Sequence, residues 1–163
     1  MSVVVDTNVA MVASGKSPQA DVACVDACVQ RLYAITREGG LLIDDRDLIL
    51  NEYLKNLGYS GQPGPGEKFV KWAYSSQCTP GVVKKIPVTQ RTDGGWRRFE
   101  EFPDQVSLAA FDRSDQKFVA VAIASGETPP VLVATDRGWW QHEWGLKAVG
   151  VIVGFLCPQH APN

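Results

Sequence analysis

Four short apolar runs, separated by segments with helical spacing, constrain the fold of this chain more than any other feature. Residues 3–5 and 131–135 are continuous runs rich in valine, and residues 41–43 and 149–153 add two more. An apolar run without polar alternation is typical of a strand covered on both faces, as in a parallel sheet. Because helices separate these runs, the pattern predicts a doubly wound α/β fold with a central, mainly parallel sheet and helices on both faces.

The segments between the strands show the apolar periodicity of helices. Gly39 and Gly58 are suitable C-terminal stops, and Ser114 is a good N-cap for the last helix. Residues 82–88 contain a proline, which has no backbone N–H to donate to a neighbouring strand. We therefore expect this segment to be an edge strand. The Pro/Gly-rich residues 60–66 predict a loop. The predicted helices cover residues 20–37, 46–57, 67–77 and 115–124.

Length and composition predict one soluble domain. The chain has 163 residues, of which 45% are hydrophobic and 21% charged, as is usual for a protein that buries its own core. We therefore treat residues 1–163 as a single domain, with a candidate elaboration at about 60–105. The first apolar run is too short, and meets an acid too early, for a signal peptide or membrane span, so we expect a cytoplasmic protein. The net charge of -2 gives no general attraction to nucleic acid.

The cysteines are sparse and form no C-x-x-C pair. Two of them, four residues apart, could share a helix face, but two ligands without a nearby histidine do not make a metal site. In a reducing compartment a disulfide framework is not expected either. We therefore interpret all of them as core residues: Cys24, Cys28, Cys78 and Cys157.

Acidic residues follow the predicted strands at the positions where open α/β sheets place their sites. Asp6 comes directly after the first strand and Asp136 directly after residues 131–135, so both belong at the carboxyl edge of the sheet. Asp115 opens a helix at the same edge, where the helix dipole favours a carboxylate. Glu52 flanks the inward stripe of its helix and can lean over this edge. Topology therefore predicts three carboxylates at one edge, and Glu52 is the acid that position alone does not fix.

A cluster of carboxylates must take up protons or bind a cation, because two charges 4 Å apart repel by roughly 4 kcal/mol at an effective dielectric near 20. Oxygen ligands without histidine or cysteine suit Mg²⁺ or Mn²⁺ better than Zn²⁺. Such an ion keeps several waters, lowers the pKa of a bound water and neutralises charge on an attacked phosphate. The predicted chemistry is therefore metal-dependent phosphodiester hydrolysis.

Four motifs resemble the PIN-domain family of nucleases, and most closely its single-domain, toxin-like branch: VVVDTNV, DLILNEYLKNL, SDQKFVAVAIASG and PVLVATDRGW. The likeness covers most of the chain apart from about residues 60–105. It implies that this chain is a divalent-metal-dependent nuclease that hydrolyses RNA or other single-stranded nucleic acid, with RNA favoured. It further implies a toxin-type ribonuclease. It also implies an antitoxin-like protein inhibitor or a homodimer as partner. The implied catalytic and metal-binding residues are Asp6, Glu52, Asp115 and Asp136, supported by hydrogen bonds from Thr7, Asn8 and Thr135.

One position departs from the family pattern. Many relatives carry another acid two residues after the last aspartate, where this chain has Gly138. One divalent ion is therefore expected, and a second lacks this ligand. Asp112 either supplies the carboxylate that is missing at position 138 or caps a turn, and we favour the turn.

A basic segment could contact substrate phosphates, with Trp96 available to stack on a base. A solvated edge strand would have the same composition, because lysines protect exposed sheet edges. Trp139 and Trp140 follow Asp136, and packing against the sheet is favoured over stacking on nucleic acid. The candidate nucleic-acid-binding residues are Lys84, Lys85, Arg91, Arg97 and Arg98.

Two other functions compete with the nuclease. A haloacid-dehalogenase-type phosphatase would use Asp6 as phosphoryl acceptor, but Asn8 stands where such enzymes need a second acid. A catalytically weak or inactive PIN-like scaffold would bind nucleic acid or a protein partner without cutting. Retention of all four acids favours the nuclease, and Gly138 leaves the scaffold open.

Overall fold

The computed structural model describes residues 1–58 and 63–162, and in these ranges it is an α/β fold built on parallel strands. One ladder has the order β1-β4-β5 and a second pairs β2 with β3. A parallel bridge between Val3 and Leu41 joins the two ladders. The predicted doubly wound class is confirmed. The strands are β1 Val4–Val5, β2 Leu41–Asp44, β3 Val83–Ile86, β4 Pro130–Val133 and β5 Ile152–Phe155.

Helices connect the strands and bury the sheet. Glycines end two of the predicted ones, since Gly39 and Gly58 follow them with φ of 76° and 66°, a conformation that favours glycine. Of the predicted loop 60–66, residues 60–62 lie outside the described residues. The helices are α1 Thr7–Ala13, α2 Val22–Glu38, α3 Leu48–Leu57, α4 Pro65–Ser75, α5 Gln116–Ser125, α6 Arg137–Gln141 and α7 Glu143–Ala148, with 3-10 turns at Val106–Leu108, Arg113–Asp115 and Pro158–His160.

Three local expectations are wrong. Ser114 is not the N-cap of α5, because it lies inside a 3-10 turn and Asp115 takes that position. The last strand begins at Ile152 rather than at Val149, since the backbone N–H groups of residues 149–151 donate to carbonyls of α7 instead of to the sheet. Cys78 is exposed, whereas a core position was expected.

The disulfide between Cys24 and Cys157 corrects the expectation that all cysteines are reduced core residues. The two partners are 133 residues apart in sequence, so no local spacing indicates the pair. Cys28 is a free thiol and, as predicted, is buried. No helix among the described residues is long and apolar enough to span a membrane.

The candidate elaboration extends the core on the side that carries α5. Gln90 and Phe99 form an antiparallel bridge, so residues 89–100 fold back as a hairpin-like segment. Phe102 behind it stacks with Phe111, at 5.8 Å between ring centroids, and Phe111 packs edge-on against Trp139 at 5.0 Å. Trp139 is fully buried. This tryptophan therefore packs into the core, as favoured from the sequence.

Candidate metal centre

The carboxyl edge of the sheet collects three of the predicted acids at the starts of helices. Asp6 follows β1 and occupies the N-cap position of α1, Asp136 follows β4 and caps α6, and Asp115 occupies the N-cap position of α5. β1 and β4 are paired neighbours, and the Asp6 backbone N–H donates to Leu132 of β4 at 3.0 Å. Glu52 approaches from the second turn of α3. The fold therefore brings together all four predicted carboxylates.

Asp6 is the least satisfied of these acids. Its side chain belongs to a residue only 2% exposed, and its Oδ2 has no hydrogen-bond partner. Burial raises the pKa of Asp6 well above its usual range, and the nearby carboxylates of Asp115, Asp136 and Glu52 raise it further. A buried polar atom without a partner is uncommon in native proteins and indicates strain or a missing ligand. Asp6 is therefore suited to bind either a proton or a cation.

Asp115 shares this electrostatic strain. Burial raises the pKa of Asp115 to about 7, with the carboxylates of Asp136 and Asp112 as the next causes. Its carboxylate does not form the side-chain hydrogen bond that an N-cap residue often makes. Asp136 is better satisfied, because its Oδ1 accepts from the Gly138 backbone N–H at 2.9 Å. The mutual effects on pKa indicate that these carboxylates lie close enough to repel one another.

Lys117 is an ammonium within the acidic cluster that the sequence analysis missed. Its Nζ lies 2.8 Å from Glu52 Oε1 and also donates to the Ser114 carbonyl. The residue is only 8% exposed, and its charge lowers the pKa of both Asp6 and Asp115. The available signal was a lysine directly before the apolar run 118–124, at the start of the predicted helix 115–124. Lys117 therefore offsets part of the negative charge.

The predicted supporting residues connect the loops that carry the acids. Thr7 donates from Oγ1 to Glu52 Oε2. Asn8 Oδ1 accepts from the Thr135 backbone N–H at 2.8 Å and from Thr135 Oγ1 at 3.2 Å. Asn8 thereby ties the start of α1 to the segment after β4. These contacts hold the carboxylate-bearing segments in register.

Asp112 caps a turn. Its Oδ1 accepts from the Ser114 backbone N–H at 2.8 Å and from the Ser114 hydroxyl at 2.6 Å. These hydrogen bonds lower the pKa of Asp112. The structure therefore shows the turn that the sequence favoured, and Oδ1 of Asp112 is used by the hydrogen bonds of that turn.

The oxygen donors of the four carboxylates suit a hydrated ion by their chemistry. Among the described residues, no three of them bring ligand oxygens within 4.8 Å of one another. A compact cage made only of protein oxygens is therefore not formed. Mg²⁺ usually binds through one or two carboxylates, retains several waters and prefers oxygen ligands. The unpartnered Asp6 oxygen and the oxygen-only donor set fit such an ion.

A cleft of about 680 Å³ opens beside Glu52 and Lys117. We call it the Arg98 cleft. Arg98, Arg113 and Lys55 line it, and no ion pair among the described residues involves these three. Arg113 donates one hydrogen bond to the Gly95 carbonyl, at 3.3 Å. Without an ion pair, the three charges can still attract phosphates next to the carboxylates.

The other predicted basic residues are engaged elsewhere. Lys84 lies 3.7 Å from Glu127, and Lys85 pairs with Asp47 at 2.9 Å. Arg91 forms ion pairs with two acids. Arg97 donates to the carbonyls of Phe102 and Glu100, at 2.9 and 2.8 Å. Of the five candidates, only Arg98 lines the cleft next to the acids: Lys84, Lys85, Arg91 and Arg97 do not.

No protein-family model, curated protein or solved structure matches this chain. A function must therefore be inferred from the chemistry of the carboxylate cluster and the neighbouring cleft, together with the resemblance of the four motifs.

Proposed function

We propose that this protein is a divalent-metal-dependent nuclease of the PIN type, which hydrolyses phosphodiester bonds in RNA or other single-stranded nucleic acid. One observation carries most of the weight: a buried Asp6 with an unpartnered oxygen, at the carboxyl edge of a parallel sheet, with three further carboxylates near enough to raise its pKa. Such repulsion destabilises the folded state unless bound protons or a cation relieve it. The basic Arg98 cleft beside it supplies a path for a polyanion.

The proposed roles follow from burial and partners. Asp6, Asp115 and Asp136 would hold the ion, with Glu52 on the side that faces the cleft. Bound Mg²⁺ or Mn²⁺ would supply an activated water and neutralise charge on the phosphate. Lys117 keeps Glu52 in place through a 2.8 Å contact.

The Arg98 cleft has a separate proposed role. Arg98, Arg113 and Lys55 would contact phosphates on either side of the bond that is cut. The preference for RNA, the toxin-type activity, and an antitoxin-like inhibitor or homodimer as partner remain proposals that rest on the resemblance to the PIN family.

The test is cleavage of end-labelled RNA and single-stranded DNA by the wild type and by Asp6→Asn, with Mg²⁺, with Mn²⁺ and with a chelator. We expect metal-dependent cutting by the wild type and a loss of at least about 100-fold in the variant, because the central ligand is removed. Asp26→Asn is the matched control, since Asp26 is an exposed acid on α2 whose Oδ2 accepts a hydrogen bond from Gln30 Nε2 at 2.8 Å.

A second candidate function is the non-cutting scaffold. It is favoured by the absence of an acid at position 138 and by the finding that, among the described residues, no three of the carboxylates bring ligand oxygens within 4.8 Å of one another. If the wild type binds labelled RNA in a gel-shift assay but leaves the same metal-insensitive background as Asp6→Asn, the nuclease proposal fails and the scaffold replaces it.

A further inference from the structure

Glu52 differs from Asp6 in what its carboxylate oxygens already hold. Its Oε2 accepts a hydrogen bond from the Thr7 hydroxyl, and its Oε1 lies 2.8 Å from the ammonium of Lys117. Asp6, in contrast, is buried and has an oxygen without a partner. An incoming cation therefore finds a free oxygen at Asp6, whereas at Glu52 Oε1 it meets a cation that is already bound.

The contact between Lys117 and Glu52 is a shielded ion pair. The lysine side chain is 10% exposed and the glutamate side chain 24%, so water and salt screen this pair less than an ion pair on the surface. The same ammonium is near enough to lower the pKa of both Asp6 and Asp115. Lys117 therefore brings positive charge into the region in which the proposed metal ion would also bring it.

The Lys117 side chain can leave Glu52 without a change in the backbone. A lysine ammonium sits on a flexible hydrocarbon stem, so it can exchange one acceptor for another. Its Nζ also donates to the Ser114 carbonyl, and the residue lines the Arg98 cleft. After the loss of Glu52, a backbone acceptor and an open cleft therefore remain within reach of this ammonium.

We propose that Lys117 is a built-in cation that competes with the divalent ion for Glu52 and that the ion displaces it. This inference rests on the proposed metal-dependent function. The exchange frees Glu52 Oε1 and leaves the Lys117 ammonium at the Arg98 cleft, as a further positive charge for the phosphates of the substrate. No covalent bond forms or breaks, and the lysine keeps its charge. Lys117 is in this sense a positioning residue that couples metal binding to phosphate binding.

A purely structural role for Lys117 predicts the opposite effect on metal affinity. If the lysine only orients Glu52, its removal leaves this carboxylate less well held and weakens metal binding. If the lysine competes with the ion, its removal ends the repulsion between two cations and strengthens metal binding. The sign of the change in affinity therefore distinguishes the two roles.

Titration calorimetry with Mn²⁺ measures that sign. The full chain is treated with a chelator, desalted and titrated at pH 8. We expect Lys117→Met to bind Mn²⁺ at least about tenfold more tightly than the wild type, because a nearby like charge is removed. Lys71→Met is the matched control and should bind like the wild type, since Lys71 is an exposed lysine on α4 outside the Arg98 cleft.

Nuclear magnetic resonance of the wild type, with ¹⁵N at the lysine Nζ positions, observes the displacement itself. A buried ammonium held by a carboxylate exchanges its protons with water slowly enough to give a signal, whereas a solvated ammonium exchanges them rapidly. The Lys117 signal is assigned by its absence from Lys117→Met. We expect it to disappear as Mg²⁺, which is diamagnetic, saturates the protein.

Three results would overturn the inference: equal or weaker binding of Mn²⁺ by Lys117→Met, no binding of Mn²⁺ by either protein, and a Lys117 signal that persists at saturating Mg²⁺. The first and third leave the nuclease proposal intact if the wild type cuts RNA. If the wild type binds Mn²⁺ but cuts no RNA, the nuclease proposal fails, and the two affinities still decide the exchange. Circular dichroism checks folding, and Lys117→Gln replaces Lys117→Met if the latter is unfolded.

Discussion

Asp115→Asn should stabilise the metal-free protein at alkaline pH, although it removes a predicted metal ligand. Asp115 is 8% exposed, and burial together with Asp136 raises its pKa to about 7 from 3.8. Above pH 7 the folded protein must hold this carboxylate ionised, at the free-energy cost of keeping a charge buried beside other carboxylates. The asparagine carries no charge, and no capping hydrogen bond is lost, because the Asp115 side chain makes none.

The expected magnitude follows from the pKa. A difference between 3.8 and about 7 corresponds to about 4 kcal/mol at about 1.4 kcal/mol per unit. Since the folded pKa is the higher one, the wild type is most stable, relative to the variant, below pH 4. That stability is lost as the pH rises to 7. The variant should therefore equal the wild type near pH 4 and exceed it by up to about 4 kcal/mol at pH 8, with a slope of about 1.4 kcal/mol per pH unit between.

Urea unfolding from pH 4 to 8 in the presence of a chelator measures this difference. The exposed Asp26→Asn should stay within about 0.5 kcal/mol of the wild type throughout. Mg²⁺ at about 100 times its Kd should then add about 2.7 kcal/mol to the wild type and less to Asp115→Asn. If Asp115→Asn is no more stable than the wild type at pH 8 without metal, Asp115 does not carry the strain assigned to it.

Three further substitutions, the first with a neighbouring residue as its control, probe the cleft, the cluster and the packing of the helices. Arg98→Ala should flatten the salt dependence of RNA binding, because it removes a phosphate contact, whereas Arg97→Ala should lower the free energy of unfolding and leave that slope unchanged. Lys117→Met should move the acidic limb of the pH–rate profile to higher pH, since Lys117 lowers the pKa of two carboxylates in the cluster; an unshifted limb would contradict this. Gly66→Ala should cost about 1–3 kcal/mol or more in urea unfolding, because its Cβ would lie 2.0 Å from a backbone oxygen of α1.

The sequence predicts the strands well and the acidic edge with them. Valine-rich runs that lack alternation leave few alternatives to covered parallel strands, and the end of such a strand locates Asp6 and Asp136. Glu52 is different, because helical periodicity leaves its direction open. Its position is set by contacts with Thr7 and Lys117, residues 45 and 65 positions away in sequence.

What the sequence misses depends on packing between distant segments. α1 has only seven residues, no charged residue in its first or last turn and no side-chain cap, so local propensity barely favours a helix there. It forms because most of its side chains are buried, as in the case of Val9 and Val12. The pairing of Cys24 with Cys157 likewise arises from contact between α2 and the end of the chain.

Two aspartates at neighbouring strands show how the acidic cluster differs from aspartates that only cap helices. Asp44, at the end of β2, is fully buried, and its oxygens accept three backbone N–H groups, one from the residue Arg46 before α3 and two from the first turn of α3. It serves as a cap and needs nothing further. Asp6, at the end of β1, is equally buried but has an unpartnered oxygen and three carboxylates around it.

With all four acids of the cluster ionised, Lys117 is the one ammonium among the described residues that forms an ion pair with any of them, so the cluster keeps a formal charge of about -3. A divalent ion would reduce this formal charge to about -1, so that a bound water molecule or a basic residue of the Arg98 cleft would face a centre with little net charge.

Protons alone could relieve the same repulsion between carboxylates, but binding of a cation and binding of protons respond oppositely to pH. Mg²⁺ competes with protons for the same oxygens, so its stabilising effect should grow from pH 5 to 8, whereas stability from protonation falls over that range. A thermal-shift series with and without Mg²⁺ distinguishes them, and an effect of Mg²⁺ that does not grow with pH would rule out the cation.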